Sequence, residues 1–144
     1  MANLKYSRQR AAIKEYLSHT YEHPTADIVY LHVREEFPNI SLGTVYRNLN
    51  LLADMGEAIK ISTPEGGDRF DGRTTPHYHV VCRRCSRVFD LELDEQHIHS
   101  VNKLADCHFD GTIISHSALF YGICRECESD IPHKTIAYKN QNND

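Results

Sequence analysis

The feature that most limits what this chain can fold into is a pair of CxxC knuckles, Cys82-x-x-Cys85 and Cys124-x-x-Cys127, with 38 residues between them. A two-residue gap lets both sulfurs of a knuckle reach one ion, and two knuckles complete a tetrahedron of soft thiolates. Zinc suits that set, because it is redox-inert and leaves such a site closed. An iron–sulfur cluster, or four reduced thiols packed as small hydrophobes, are the alternatives. The gap exceeds that of a compact zinc ribbon, so the ion would tie the start of a small domain to its end. Cys107 has no partner at metal-binding spacing and is expected to be a core thiol.

At 144 residues the chain holds one or two small domains. It lacks an apolar run near the ~18 residues of a membrane span, and its N-terminus lacks a signal-peptide core. Both points direct the chain to the cytoplasm, where thiols stay reduced and five cysteines are read first as metal ligands. A formal net charge of −4 argues against a nucleic-acid partner in general. The charge is uneven, however: residues 1–75 carry nine Lys/Arg against ten Asp/Glu, and residues 76–144 carry seven against ten. A local basic face in the first half is therefore compatible with the total.

Three helices come first. "SRQRAAIKEYLSH" starts at Ser7 as N-cap. "TADIVYLHVREEF" has an apolar stripe of Ala26, Val29, Tyr30, Val33 and Phe37, with Pro38 just past its end. "SLGTVYRNLNLLADMG" is capped by Ser41 and stopped at Gly56. Leu42, Val45, Leu49 and Leu52 share one face of it, Thr44, Arg47 and Asn48 point away, and Tyr46 lies at the edge. Then the period changes: "AIKIST", a "PEGG" turn and "DRFD" read as a β-hairpin. Three short helices and a hairpin is the order of a winged helix-turn-helix, with the third helix as recognition helix; a generic α+β core is the alternative.

"GRTTP" at 72–76 reads as a hinge between a first domain, residues 1–72, and a second, residues 77–144. In the second, "HYHVVC" and "RVFDLEL" read as strands, "DEQHIHSVNKLADC" as a helix and "GTIISHSALFYGIC" as a long strand. The expected class is therefore α+β, a winged helix followed by a small α/β unit. That unit has few residues for a core, so a metal staple or a second subunit is expected. The polar tail "KTIAYKNQNND" is expected to fray.

His77 and His79 lie two apart on a strand, so both rings project from one face while Tyr78 points the other way. Asp90 follows on the next strand and Asp71 ends the hairpin, which places two acids beside the histidine pair. Taken alone, the pair could equally be a surface feature.

The blocks "HPTAD", "SLGTVYRNLNLL", "RFD", "HYHVVCRRC" and "YGICREC" resemble, in order and over residues 7–127, the ferric uptake regulator (Fur) family. The resemblance implies a regulatory metal held by His23, Asp71, His77, His79 and Asp90. Three imidazoles and two carboxylates accept Fe(II) or Mn(II). Asp at position 90, where the iron sensors carry Glu, together with "HYH" and "RFD", resembles the peroxide-sensing PerR branch. In that branch the histidines matching His23 and His77 are oxidised by peroxide at bound Fe(II). The resemblance further implies a homodimer on double-stranded operator DNA, with Tyr46 and Arg47 reading bases, Ser41 and Thr44 near the backbone, and Arg10 on phosphate.

Two departures stand out. The family usually has a segment ahead of the first helix, whereas this chain begins six residues before Ser7. A third metal site of the family is only partly matched: His116 is present and His97 or His99 could join it, but Tyr78 stands where an acid is often found. Within the family, an iron- or zinc-availability sensor is the alternative function. From another class, a zinc enzyme of deaminase type needs H-x-E paired with P-C-x-x-C and an open zinc. Here the pair is H-x-H, and four cysteines would close the ion. The expectation is a repressor without turnover.

Overall fold

The computed structural model describes residues 5–129. Helices α1 (Arg8–His19), α2 (Ala26–Val33) and α3 (Leu42–Asp54) precede strands β1 (Ile59–Thr63) and β2 (Gly67–Asp71). Beyond residue 72 follow β3 (Tyr78–Cys82), β4 (Val88–Leu91), α4 (Glu95–Asp106), β5 (Leu119–Gly122) and the single turn α5 (Arg125–Glu128). The two sheets are a β1-β2 hairpin and a three-stranded sheet of order β4-β3-β5, with β3 antiparallel to β4 and parallel to β5. The expected polar tail lies outside the described residues. Among the described residues no helix is long and apolar enough to cross a membrane.

The helices start where the sequence places caps. Ser7 Oγ accepts from the Arg10 N–H at 3.2 Å and Ser41 Oγ from the Thr44 N–H at 3.1 Å, each satisfying a donor that helix geometry leaves free. Ile13, Leu17, Val29, Val33, Val45, Leu49, Leu52 and Phe70 form the first core, with Tyr30 and Phe37 against it. Gly56 follows α3 at φ 74°, a left-handed position that favours glycine after a helix.

Several expectations need correction. Helix α2 stops at Val33, not Phe37: the Glu35 and Glu36 N–H groups bond back only three residues, because the turn tightens ahead of Pro38. Leu42 is exposed, since it sits in the first turn of α3, beyond the reach of α1 and α2. Asn48 is buried, with its amide donating to the Thr44 carbonyl at 3.1 Å. The expected long strand shrinks to Leu119–Gly122, because β3 offers only Tyr78–Cys82 to pair with. Cys107 is exposed at the end of α4, not in a core.

The hairpin is two-faced. Directly opposed residues share a face, so Lys60, Ser62, Asp68 and Phe70 look one way and Ile59, Ile61, Arg69 and Asp71 the other. Phe70 enters the core of the three helices. Ile61 instead packs with Val81 of β3 and Val88 of β4 in a second, smaller core, joined by Ile59 and Leu119. One hairpin is thus a wall common to both halves of the molecule.

Gly72 is where the chain leaves β2, pressed against α1. A Cβ there would stand 2.6 Å from the Leu17 carbonyl carbon and 2.7 Å from its oxygen, backbone atoms that cannot rotate away. Gly72→Ala is expected to destabilise by about 1–3 kcal/mol, read as a lowered thermal midpoint of the zinc-loaded protein. An unchanged midpoint would show that the junction is looser than described.

Candidate metal centres

The four knuckle sulfurs, of Cys82, Cys85, Cys124 and Cys127, lie within 4.8 Å of one another. Cys85 Sγ and Cys124 Sγ are 3.8 Å apart, the edge of a tetrahedron with metal–sulfur bonds of about 2.3 Å, which is about 3.8 Å. Strand pairing creates this proximity: β3 ends at Cys82 beside Gly122 of β5, two residues before Cys124. The Cys85 and Cys124 N–H groups donate to Cys82 Sγ at 3.5 and 3.3 Å, and Ser86 takes φ 64° to turn the knuckle back. Burial raises the Cys82 thiol, but the N–H groups of Cys124, Cys85 and Arg84 outweigh it and bring it to about 6. Hydrogen bonding to Cys124, with burial adding, pushes Cys127 to about 12. Four crowded thiols thus do not all ionise by themselves, and a divalent cation removes the conflict. The residues fit zinc and leave no open position for a substrate, and neither donor cluster contains a Glu, so the deaminase arrangement is absent from the described residues.

Arg87 joins the knuckles through a tertiary contact. Its Nε lies 3.4 Å from Cys85 Sγ and its Nη2 3.5 Å from Cys124 Sγ, while Nη2 also donates to Glu126 at 2.6 Å. It bridges the two knuckles from outside, and only its place just after the first knuckle hints at this in the sequence.

The second cluster draws on the whole chain. His23 Nε2 is 2.8 Å from Asp90 Oδ1 and 3.2 Å from Asp71 Oδ2. His77 Nε2 is 2.9 Å from Asp71 Oδ2 and 2.8 Å from Asp90 Oδ1. His79 Nε2 lies 2.8 and 3.3 Å from the same two oxygens. The donors of His23, Asp71, His79 and Asp90 fall within 4.8 Å of one another; His77 lies outside that mutual limit but reaches both carboxylates. Such spacings match adjacent ligands on an ion with bonds of about 2.1 Å at right angles, which stand about 3 Å apart.

Distance alone does not separate a metal site from hydrogen bonds; proton placement does. His77 Nδ1 lies 2.7 Å from the Thr75 carbonyl, which only accepts, so Nδ1 carries the hydrogen. In the neutral ring the Nε2 lone pair then faces two carboxylate oxygens, an arrangement that repels unless a proton or a metal ion lies between. A backbone carbonyl fixing the outer nitrogen is the usual support for a metal-binding imidazole.

Each donor has a local cause. His79 and Asp90 are direct cross-strand partners in the β3–β4 ladder. Asp71 ends β2, and its other oxygen accepts from the Arg73 N–H at 2.9 Å. His23 is held at φ 51°, an uncommon conformation for a non-glycine residue. Arg69 Nη1 donates to its carbonyl at 3.2 Å, and the Phe70 N–H to the Pro24 carbonyl at 3.0 Å, which pins this turn to β2. Burial would lower the His23 and His77 imidazoles, but the Asp71 and Asp90 carboxylates, joined at His77 by the Thr75 carbonyl, raise them on balance. Burial would raise Asp71, yet the His23 and His79 rings and the Arg73 N–H hold it far below the usual carboxylate range.

The remaining candidates are placed as follows. His116 is hydrogen-bonded to Tyr78 Oη and, through Nδ1, to Asn102 Oδ1 at 2.6 Å; the structure does not gather it with His97 or His99. Tyr46 and Arg47 are exposed on α3, and Arg47 Nη2 donates to Thr44 Oγ1 at 3.3 Å. Ser41 Oγ donates to the same Thr44 oxygen at 2.9 Å. Arg10 lies along the surface, with its guanidinium donating to the carbonyl of exposed Lys5 at 2.7 Å.

The model of the ferric uptake regulator family matches residues 1–121. The chain belongs to that family. The peroxide-responsive repressor PerR of Staphylococcus aureus is 34% identical over 127 residues, 88% of this chain and 84% of that protein. Among solved structures, the Campylobacter jejuni peroxide stress regulator is 29% identical with a TM-score of 0.73, covering 83% of this chain and 88% of its own. The Helicobacter pylori ferric uptake regulator, described with three functional metal-binding sites, is 25% identical with a TM-score of 0.74, covering 87% and 83%. The chain is accordingly a metal-responsive regulator, and its α+β architecture is that of the family.

Two measurements follow from these geometries. Cys124→Ser is expected to take bound zinc from about one ion per chain to none and to abolish cooperative melting of the second sheet, read by metal analysis and circular dichroism. In protein stripped of the ion at the second cluster, the contribution of Asp71 is present above about pH 4 and lost only in strong acid. That of His23 and His77 is complete below about pH 6.5 and lost as pH rises through their raised values. Calorimetry from about pH 5.5 to about 8.5 should show the stripped protein losing stability while the Mn(II)-loaded protein holds it. Parallel curves would show that no cation shares these donors.

Proposed function

We propose that the chain is a homodimeric, metal-dependent transcriptional repressor that releases operator DNA when peroxide oxidises His23 or His77. One observation carries this reading: His23, ahead of α2, lies 2.8 Å from Asp90 of β4, a contact across 67 positions of sequence. The five donors come from both sides of residues 73–76, the proposed hinge between a DNA-binding domain (1–72) and a dimerisation domain (77–144). An ion shared by them fixes the angle between the two. In a dimer that angle sets the separation of the recognition helices, which must match half-sites about one helical turn apart or a multiple of it.

Zinc at Cys82, Cys85, Cys124 and Cys127 is the structural ion, and Fe(II) or Mn(II) at His23, Asp71, His77, His79 and Asp90 the regulatory one. Fe(II) held by these residues would supply the redox chemistry that activates peroxide, while the imidazole itself gives up the two electrons overall. On oxidation one ring C–H becomes a carbon–oxygen bond while peroxide is reduced to water. The altered imidazole of His23 no longer reaches across to Asp90. Helix α3 faces DNA through Tyr46 and Arg47, with Ser41, Thr44 and the helix N-terminus toward phosphate and Arg10 available once it leaves the Lys5 carbonyl. A second copy has a surface to cover: Val101, Leu104, Phe109, Ile114, Phe120 and Tyr121 are all exposed in the second half. The reading places the protein in the cytoplasm, without turnover.

The test uses intact-protein mass spectrometry and binding to a duplex selected from a randomised pool by the Mn(II)-loaded protein. With Fe(II), peroxide should add one oxygen, mapped to His23 or His77, and weaken binding by about 5–150-fold; with Mn(II) neither should occur. Equal loss in both forms, or oxygen only on methionine or cysteine, would favour an iron- or zinc-availability sensor instead. His23→Ala should keep zinc but lose the metal-dependent gain in affinity.

A further inference from the structure

A carboxylate on a surface that meets a polyanion weakens binding by charge alone, yet Asp68 occupies the hairpin face that looks toward α3. It is not a loosely solvated acid. Its Oδ2 accepts from Tyr46 Oη at 2.7 Å and Oδ1 from Ser62 Oγ at 3.0 Å, with Lys60 Nζ 3.4 Å away. Lys60 reaches on to Asn50 Oδ1 at 3.0 Å, so the hairpin and α3 are tied twice. The Tyr46 ring also stands edge-on to Phe70, with centroids 6.5 Å apart. Tyr46, Arg47 and Asn50 line an open groove of about 660 Å³ along α3.

We propose that Asp68 is a positioning residue that fixes both where Tyr46 points and what it can recognise. A phenol has one hydrogen to donate, and Asp68 takes it. Toward a base pair Tyr46 then offers only oxygen lone pairs and the ring. Those suit an exocyclic amino group of adenine or cytosine, or the thymine methyl, and are mismatched to the N7 and O6 acceptors of guanine. The chain discriminates against guanine at this position because a wing residue has already used the donor. The Tyr46 hydrogen bond is also the largest influence keeping the Asp68 carboxyl below its ordinary range, which holds it ionised as the acceptor.

This inference rests on α3 being the reading helix, and the experiment separates the two. Duplexes are selected from a randomised pool by the Mn(II)-loaded full chain as wild type, Tyr46→Ala, Tyr46→Phe, Asp68→Ala, Asp68→Asn and the Asp68→Ala/Tyr46→Phe double variant. Asp68→Ala should relax the bias against guanine by about tenfold at one base-pair position per half-site, leaving the other positions unchanged. Asp68→Asn, which keeps an acceptor oxygen for the phenol, should retain the bias. In the Tyr46→Phe background, Asp68→Ala should change no base preference further, while loss of the charge raises affinity for every sequence alike. Asp68→Ser, too short to reach the phenol, should repeat the Asp68→Ala result, and serves in its place if that variant does not fold. Unchanged selectivity in Asp68→Ala, an equal loss at every position, or the same shift without the Tyr46 hydroxyl would each overturn the proposal. If Tyr46→Ala leaves every base preference intact, α3 does not read through Tyr46, and the functional reading of that helix fails first.

Discussion

Two carboxylate oxygens, one from Asp71 and one from Asp90, face three imidazole nitrogens at 2.8 to 3.3 Å. That convergence governs how the halves of the molecule relate. With its hydrogen held on Nδ1 by the Thr75 carbonyl, neutral His77 presents its Nε2 lone pair to both carboxylates beside the buried Asp71, where an uncompensated carboxylate is costly. A shared cation changes the sign of the interaction. The cluster is therefore a conditional bond, strongest when an added proton or a metal ion lies among its members and weakened at His77 otherwise. Its members come from both halves of the chain, which also meet at the Ile61–Val81–Val88 core, so the condition bears on how those halves are set against each other.

The rest of the structure keeps this cluster within reach. The thiolate knuckles anchor the ends of β3 and β5, which fixes the strand that presents His79. The β3–β4 register then places Asp90 directly opposite. On the other side, Arg69 and the β2 backbone hold the His23 turn in its left-handed conformation. Arg73, leaving β2, is paired with Glu92 beyond β4, so one ion pair spans the same gap without any metal.

Much of this could be read from residue order, for identifiable reasons. Knuckle spacing is local, so Cys82, Cys85, Cys124 and Cys127 reveal their partnership without coordinates. The caps at Ser7 and Ser41 and the buried Val45, Leu49 and Leu52 of α3 are likewise set within a few residues, whereas Leu42 and Asn48 depart from what periodicity assigns them. His77 and His79 follow from strand alternation, but His23 does not: its reach to Asp90 depends on a backbone conformation and a 67-residue closure that periodicity cannot encode, so only resemblance pointed to it. Strand β5 is shorter than its apolar run, because composition says nothing about how much partner strand exists. The Thr75 carbonyl, Arg87 and Asp68 act through tertiary hydrogen bonds with no sequence periodicity, and none was visible beforehand.

Phe70 and Asp68 face the helical half, while Ile61 and Asp71 face the strands β3 and β4 that carry His77, His79 and Asp90. A two-stranded ribbon gripped on opposite faces behaves as a lever and not as a flap. Pulling Ile61 away from Val81 and Val88 would wet an apolar seam, so small rotations of the second sheet carry the ribbon with them. The side of the ribbon that grips Tyr46 moves with it, which couples the pose of that ring to the sheet that carries His77 and His79.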